Sequence, residues 1–380
     1  MNNPSHIKLP PPTLPDNVIH EIIRKGDPET VLQWKYVSPW WREKLTRADF
    51  CAEMYARWKG RCQYLIAHLG YIGFKPRMDW IVRLNVVTGD LEELTLPFDI
   101  QPGGWFGIVG VQNGNMCLRL SSTGRRSQLN IWNPATKIHR YIDDPTQHYY
   151  TMCSFIYSFV YYPNSQKYAI VHFYRRSLGD EICWLTMFSP ETPRWEYNIL
   201  CPPYVQKLDG HTVSLDGVCY WVSWAGDILQ YPAYILGFSI ISKSFLTITI
   251  PPKVYSNEHR LIIYGGSLCM VSISRDEVNF ESTLWKIKQN GSKVSWERVF
   301  TIRGDGFPEI PTIQCEEGII LLHATFREAL IYHGYPVLSE FDFLHFNPNT
   351  NQKVLLEEEG YIGRVEMKTA NLYSEGCFGV

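Results

Sequence analysis

From Gly60 to the end of this 380-residue chain, tight turns recur at nearly constant spacing, and that spacing constrains the fold more than any other feature. The residues just inside the turns are Gly60, Gly114, Ser165, Gly217, Gly266 and Gly318, with successive separations of 54, 51, 52, 49 and 52. A unit of about 50 residues cannot bury both faces of its own strands, so strand-rich copies must pack radially on one another. A second set of turns interleaves with the first: Val87–Asp90, Asn133–Thr136, Ser189–Thr192, Ile241–Lys243, Gln289–Ser292 and Asn347–Thr350. Each divides two strand-like runs, such as Leu129–Trp132 and Ile138–Ile142, so every unit holds two hairpins, or four strands.

Six such units close most simply into a β-propeller with six blades; seven blades is the alternative, because the first and last units are the weakest. The 13 Trp, 23 Tyr and 18 Phe supply the ring systems that sheets favour. Four cysteines, Cys62, Cys117, Cys219 and Cys269, fall two or three residues after a repeat glycine, a placement that fits small apolar residues filling one strand site in each unit. No Cys-x-x-Cys pair and no metal-ligand spacing of His and Cys occurs, so no metal or cofactor is expected and the thiols are expected to be reduced. The formal net charge of -2, with Arg125-Arg126 and Arg175-Arg176 in mixed-sign surroundings, argues against a nucleic-acid partner. No run of 18 apolar residues appears and the start is polar and proline-rich, so the expectation is a protein of the cytoplasm or nucleus with no membrane partner.

Before the repeats the texture is helical. Residues 1–13 read as a disordered segment and residues 14–57 as three or four short helices. Asp16 is the expected cap of a helix carrying Val18, Ile19, Ile22 and Ile23, which Gly26 ends. Asp27-Pro28 and Ser38-Pro39 each read as a cap followed by proline in the first helical position, and Thr46 with Asp49 reads as a capping box. So small a unit buries too little surface to stand alone, and wants a partner.

This stretch resembles an F-box. Leu14-Pro15 match the opening of the family's pattern and Glu21-Ile22-Ile23 its acidic-apolar triplet; Val31-Leu32 and Trp34 match its second helix, and Val37, Trp41, Leu45 and Phe50 its closing positions. The resemblance implies a surface for a Skp-type adaptor, which links receptors to a cullin scaffold. The residues implied for it are Leu14, Pro15, Val18, Ile19, Glu21, Ile22, Ile23, Val31, Trp34, Val37 and Trp41. Gly26-Asp27 stand where the family usually has Leu-Pro, and Pro39-Trp40 replace its polar pair.

The tail, residues 60–375, resembles the F-box-associated domain of plant F-box proteins, which is related to kelch-type propellers. Asn113–Leu118, Ile131–Thr136, Phe159–Tyr162 with Tyr168–Val171, and Leu215–Trp221 carry the match. In an antiparallel meander the two sets of turns above lie on one end, and the longer connections lie on the other. Those connections carry Trp105, Phe106, Tyr149, Tyr150, Tyr204, Trp224, Tyr231, Tyr234, Phe307, Tyr332 and Tyr335, candidates for target binding because aromatic loops on a rigid scaffold favour recognition. Together the resemblances imply an α+β multidomain chain, an all-α F-box followed by an all-β kelch-like propeller. They also imply a non-catalytic receptor that brings a target protein to a ubiquitin ligase. No nucleophile elbow, phosphate loop or dinucleotide fingerprint is present. An enzymatic or carbohydrate-binding propeller with a degenerate F-box is the alternative.

Overall fold

The computed structural model of the chain describes residues 15–26, 31, 34, 37–46, 63–71, 79–85, 91–98, 104–121, 127–145, 156–163, 165, 167–175, 183–202, 207–224, 232–251, 258–275, 279–290, 293–305, 309–315, 318–325, 330–332, 335–337, 340–350, 352–356 and 365–374.

The helical head contains α1 (Asp16–Lys25) and α2 (Pro39–Thr46). Pro15 occupies the N-cap of α1 with no side-chain cap, and its carbonyl accepts from the N–H groups of Val18 (2.9 Å) and Ile19 (3.1 Å). Asp16 is therefore the first helical residue, not the cap. Gly26 does end α1, its N–H donating to the Ile22 carbonyl at 3.0 Å. It does so in an extended conformation (φ -74°, ψ 150°) that any residue could adopt. Glycine is required there for space: a Cβ would lie 2.6 Å from Cγ2 of Val31. At the other helix the start signal holds, since Ser38 Oγ accepts from the Trp41 N–H at 3.2 Å ahead of Pro39. Thr46 closes α2 instead of opening another helix, and residues 47–62, with the rest of that capping box, lie outside the described residues. Ile19, Ile23, Val31 and Leu45 form the core of the head, with Trp34 and Trp41 packed on it at 5.0 Å between ring centroids. Each aliphatic side chain so buried contributes about 1.5–3 kcal/mol.

The rest of the described chain is almost entirely strand. In chain order these are β1 (Gln63–Tyr71), β2 (Asp79–Asn85) and β3 (Leu91–Leu94); β4 (Trp105–Gln112), β5 (Asn115–Ser121), β6 (Gln128–Asn133) and β7 (Ile138–Asp143); and β8 (Ile156–Tyr161), β9 (Tyr168–Arg175), β10 (Cys183–Ser189) and β11 (Thr192–Leu200). They continue as β12 (Lys207–Leu215), β13 (Val218–Trp224), β14 (Pro232–Ser239) and β15 (Ser244–Thr249), then β16 (Glu258–Tyr264), β17 (Ser267–Arg275), β18 (Asn279–Asn290) and β19 (Lys293–Asp305). Last come β20 (Glu309–Cys315), β21 (Gly318–Thr325), a two-stranded ribbon of β22 (Leu330–Tyr332) and β23 (Tyr335–Val337), then β24 (Glu340–Asn347), β25 (Gln352–Leu356) and β26 (Val365–Ser374).

Among the described residues these strands make six four-stranded antiparallel sheets, five of them consecutive in the chain. The first is different: β26, from the far end of the chain, pairs with β1 from Gln63↔Ser374 to Tyr71↔Val365. One strand of each sheet touches its counterpart in the next, in the order β26, β4, β8, β12, β16, β20 and back to β26. The fold is propeller-like, and the C-terminal strand completes the first sheet. The arrangement also explains why the repeat begins at Gly60. The first unit enters at the second strand of its sheet and waits for the first strand until the chain returns.

The turns behave as their residues dictate. Asn113-Gly114 (φ 52° and 75°) and Asp216-Gly217 (φ 50° and 76°) occupy the left-handed region that two-residue hairpin turns require. The Asn-Pro turns share a different device, a side-chain acceptor, although in the β6–β7 turn Lys137 still takes a positive φ of 58°. Asn133 Oδ1 accepts from the Thr136 N–H at 2.9 Å, and Asn347 Oδ1 accepts from Asn349 (2.9 Å) and Thr350 (3.3 Å). Between sheets, indoles on the outer strands act as ties. Trp195 Nε1 donates to the Asp143 carbonyl at 2.8 Å and Trp296 Nε1 to the Thr249 carbonyl at 2.7 Å, each reaching the preceding sheet. Cys117, Cys219 and Cys269 are buried in the second strands of the second, fourth and fifth sheets, as their spacing suggests. Burial pushes the thiols of Cys219 and Cys269 up to about 12.

Gly217→Ala and Gly266→Ala share the strain of a positive φ, about 1–2 kcal/mol. A Cβ on Gly217 would also meet Pro163 Cδ at 2.9 Å, while one on Gly266 meets nothing within 4 Å. Urea denaturation should therefore show Gly217→Ala as the more destabilised of the two.

Candidate functional site

The two ends of the ring differ. The β4–β5 and β6–β7 turns lie at one end, and Ala135 of the β6–β7 turn packs against the Ile19–Ile23–Val31–Leu45 cluster of the head. The head thus docks on the short-turn end, and the longer connections emerge from the opposite end.

At that opposite end, between the second and third sheets, aromatic and charged groups converge. Trp105 opens β4, Arg119 lies near the end of β5, Asp144 follows β7, and Tyr157 is the second residue of β8, opposite His172 of β9. Asp144 is buried; its Oδ1 accepts from the Tyr157 hydroxyl at 2.7 Å and its Oδ2 from Arg119 Nε at 3.2 Å. The Arg119 guanidinium sits 5.2 Å from the Tyr157 ring centroid and 5.5 Å from that of Trp105. Behind Tyr157 the His172 ring stacks at 4.2 Å and 16°, and Tyr174 stacks on His172 at 5.4 Å and 9°. The result is a ladder of rings across the seam, pinned by a buried ion pair and ending outward at Trp105, which is 36% exposed.

Burial pulls the His172 pKa down to about 3; Asp144 opposes that shift and Arg119 adds to it. The imidazole is neutral at ordinary pH and serves as a packing ring. The pair, with Asp144 buried and Arg119 half-buried, is not itself a large stabiliser, but removing Arg119 strands a buried carboxylate at a cost of about 3–5 kcal/mol. The cluster therefore holds Trp105 and Arg119 rigidly, which suits binding. Among the described residues no group of three or more His, Cys, Asp or Glu could hold a metal ion.

The sequence pattern of the F-box associated beta propeller domain matches residues 96–373, which is most of the chain and all but the first three strands and the last residue of β26. The chain belongs to that family. No curated protein matches the sequence. Among solved structures, TolB from Acinetobacter baumannii is similar at 11% identity and a TM-score of 0.49, over 83% of this chain and 67% of TolB. A putative 6-phosphogluconolactonase from Bacteroides fragilis is similar at 8% identity and a TM-score of 0.40, over 81% of this chain and 98% of that one. Neither similarity assigns a ligand or a reaction to this F-box associated propeller.

Several aromatics expected in long connections prove to be strand residues, because alternating apolar runs carried the strands further than the turns suggested. Phe106 is the second residue of β4, only 1% exposed and stacked on His68 at 4.4 Å, so it packs the core instead of a target. Trp224 ends β13, and Tyr234 lies in β14, half-buried against the core. Tyr332 and Tyr335 flank the turn of the β22–β23 ribbon. Tyr149, Tyr150, Tyr204, Tyr231 and Phe307 lie outside the described residues. Of the set, Trp105 is the one that the structure brings into a described cluster at this end. In the head, Leu14 is outside the described residues; Pro15, Val18, Glu21, Ile22 and Val37 are exposed, Trp34 and Trp41 are half-buried, and Ile19, Ile23 and Val31 are buried in the head itself. Sequence reasoning missed Arg119, Asp144, Tyr157 and His172. Arg119 had a usable signal, a charge between Leu118 and Leu120 inside a strand.

Unfolding returns His172 to the ordinary value of 6.5, so between about 3 and 6.5 the unfolded chain binds a proton that the folded chain refuses. Its contribution is full above pH 6.5 and is lost as pH falls through that window, at no more than about 1.4 kcal/mol per unit. Between pH 7 and pH 5, urea denaturation should show the native chain losing up to about 2 kcal/mol more than His172→Phe.

Proposed function

We propose that this chain is the substrate-recognition subunit of a Skp-cullin-F-box ubiquitin ligase. In this reading the head is an F-box that binds a Skp-type adaptor and, through it, the cullin, and the tail is a six-bladed propeller that holds a target protein. The observation that carries the reading is the two-faced apolar character of α1. Ile19 and Ile23 fill the head, while Val18 (37% exposed) and Ile22 (39% exposed), one turn apart, present a second aliphatic face to solvent. Trp40 and Val37 add further exposed apolar surface. A ten-residue helix on a folded head gains nothing from that second face unless something covers it.

The mechanism is proximity. No group of this chain forms or breaks a bond; it raises the effective concentration of a bound target beside a ubiquitin-loaded enzyme. Docking of the head on the short-turn end leaves the end with Trp105 and Arg119 for the target, so the ligase and its client approach opposite ends of one rigid ring. Such a receptor works wherever the ligase does, in the cytoplasm or nucleus.

Co-purification of the full chain with a Skp-type adaptor tests the reading. Retention should fall at least about tenfold in a Val18→Asp, Ile22→Asp double variant, equivalent to about 1.4 kcal/mol or more, with the thermal melt unchanged. Ile23→Asp should instead unfold the head, because that side chain is fully buried. Failure of the native chain to retain adaptor where an ordinary F-box does, or undiminished retention by the double variant, would overturn it.

A further inference from the structure

Cys183 and Cys201 stand apart from the other described cysteines. Cys117, Cys219 and Cys269 are buried singly in three different sheets, whereas these two face each other across one hairpin. β10 and β11 pair as Trp184↔Leu200 and Leu185↔Ile199, and the same register places Cys183 opposite Cys201. The Cys201 N–H donates to the Cys183 carbonyl at 3.1 Å, which makes them a hydrogen-bonded antiparallel pair. In such a pair the Cα atoms lie about 5.5 Å apart, inside the span of about 4.4–6.8 Å that a disulfide bridges, while the Cβ atoms, about 4.5–5.5 Å apart, must close to about 3.5–4.5 Å, so the bond draws the strands together and is readily reduced. Both side chains lie on one face: Cys201 belongs to the same core cluster as Leu185, and Cys183 and Ile199 pack against it. Cys183 is half-buried and Cys201 almost fully buried, so one thiol is reachable and the other waits behind it. The pair closes the end of the third sheet where the longer connections emerge, the same end as Tyr174 and the ring ladder.

We propose that Cys183 and Cys201 form a reversible cross-strand disulfide, a thiol–disulfide switch at the end of the ring opposite the head. The oxidant is a low-molecular-weight disulfide such as oxidised glutathione. The Cys183 thiolate attacks one of its sulfurs; a bond forms to Cys183 Sγ, the small disulfide breaks, and the first small thiolate leaves and takes up a proton. Cys201, giving up its proton, then attacks Cys183 Sγ and expels the second small thiol. Two protein thiols are oxidised to one disulfide while one small disulfide is reduced to two thiols. Burial, with Cys183 adjacent, holds the Cys201 thiol well above the usual range, so Cys183 is the entry point and Cys201 the resolving group. The bridge adds a covalent tie to the backbone hydrogen bonds and side-chain packing that hold the open ends of β10 and β11. The inference rests on the hairpin alone and does not depend on the ligase reading.

Peptide mapping of the full chain decides it. The chain is treated with oxidised glutathione, alkylated under denaturing conditions and cut with trypsin, which cleaves after Arg194 and so separates peptides 177–194 and 195–207. The expected result is one linked species of these two peptides, lighter than their sum by two hydrogens and released by dithiothreitol. Cys183→Ser should leave Cys201 unmodified, and Cys201→Ser should leave Cys183 carrying glutathione. The proposal is overturned if the native chain yields Cys183–glutathione at the level of the Cys201→Ser variant with Cys201 alkylated. It is equally overturned if Cys183 stays unmodified or links chiefly to another cysteine.

Discussion

The pairing of β26 with β1 is the interaction on which the rest of the architecture depends. Five sheets are built from neighbouring hairpins, whose contacts are local and several of whose turns are written in Asn-Gly, Asp-Gly and Asn-Pro residues. The first sheet alone joins residues some 300 positions apart, with Gln63 opposite Ser374. Without that strand, β1 would present an unpaired edge and the faces of β4 and β20 would lose the neighbour that β26 provides. Closure converts six marginal units into one body, since no single sheet of four short strands buries its own faces.

Rigidity gained by closure is what allows a charged group to sit at the seam between two sheets. Asp144 is buried, and it accepts hydrogen bonds from Arg119 of the second sheet and from Tyr157 of the third. The same seam excludes water from His172 and keeps it neutral. In the receptor proposed above, recognition at this surface would rely on preorganisation: Trp105 is held by what lies behind it, so little side-chain entropy would remain to be lost on covering it.

The head follows a different logic. Among the described residues its core is four aliphatic side chains with two indoles packed on them, and it rests on the β6–β7 turn through Ala135. Gly26 illustrates how tightly this small core is drawn. At Gly26 there is no room even for a methyl group, because a Cβ there would lie 2.6 Å from Cγ2 of Val31.

Much of the fold was legible in the chain because its signals are local. Both sets of turns, the four-strand unit and the Ser38-Pro39 helix start depend on residues within a few positions of one another. The sequence by itself determined the number of strands per unit, the short turns that divide them and the helical character of the head, but not the β22–β23 ribbon, which it placed within a long connection. Only the tertiary structure decided which residues face outward. Phe106 and Trp105 are adjacent and alike in type, yet the pleat turns one into the core and the other toward solvent. Ile22 and Ile23 divide in the same way around a helix. Arg119, Asp144, Tyr157 and His172 lie far apart in the chain, and no period in the sequence marks them as a cluster. What joins them is the meeting of two sheets at one seam, which no local signal in the chain specifies.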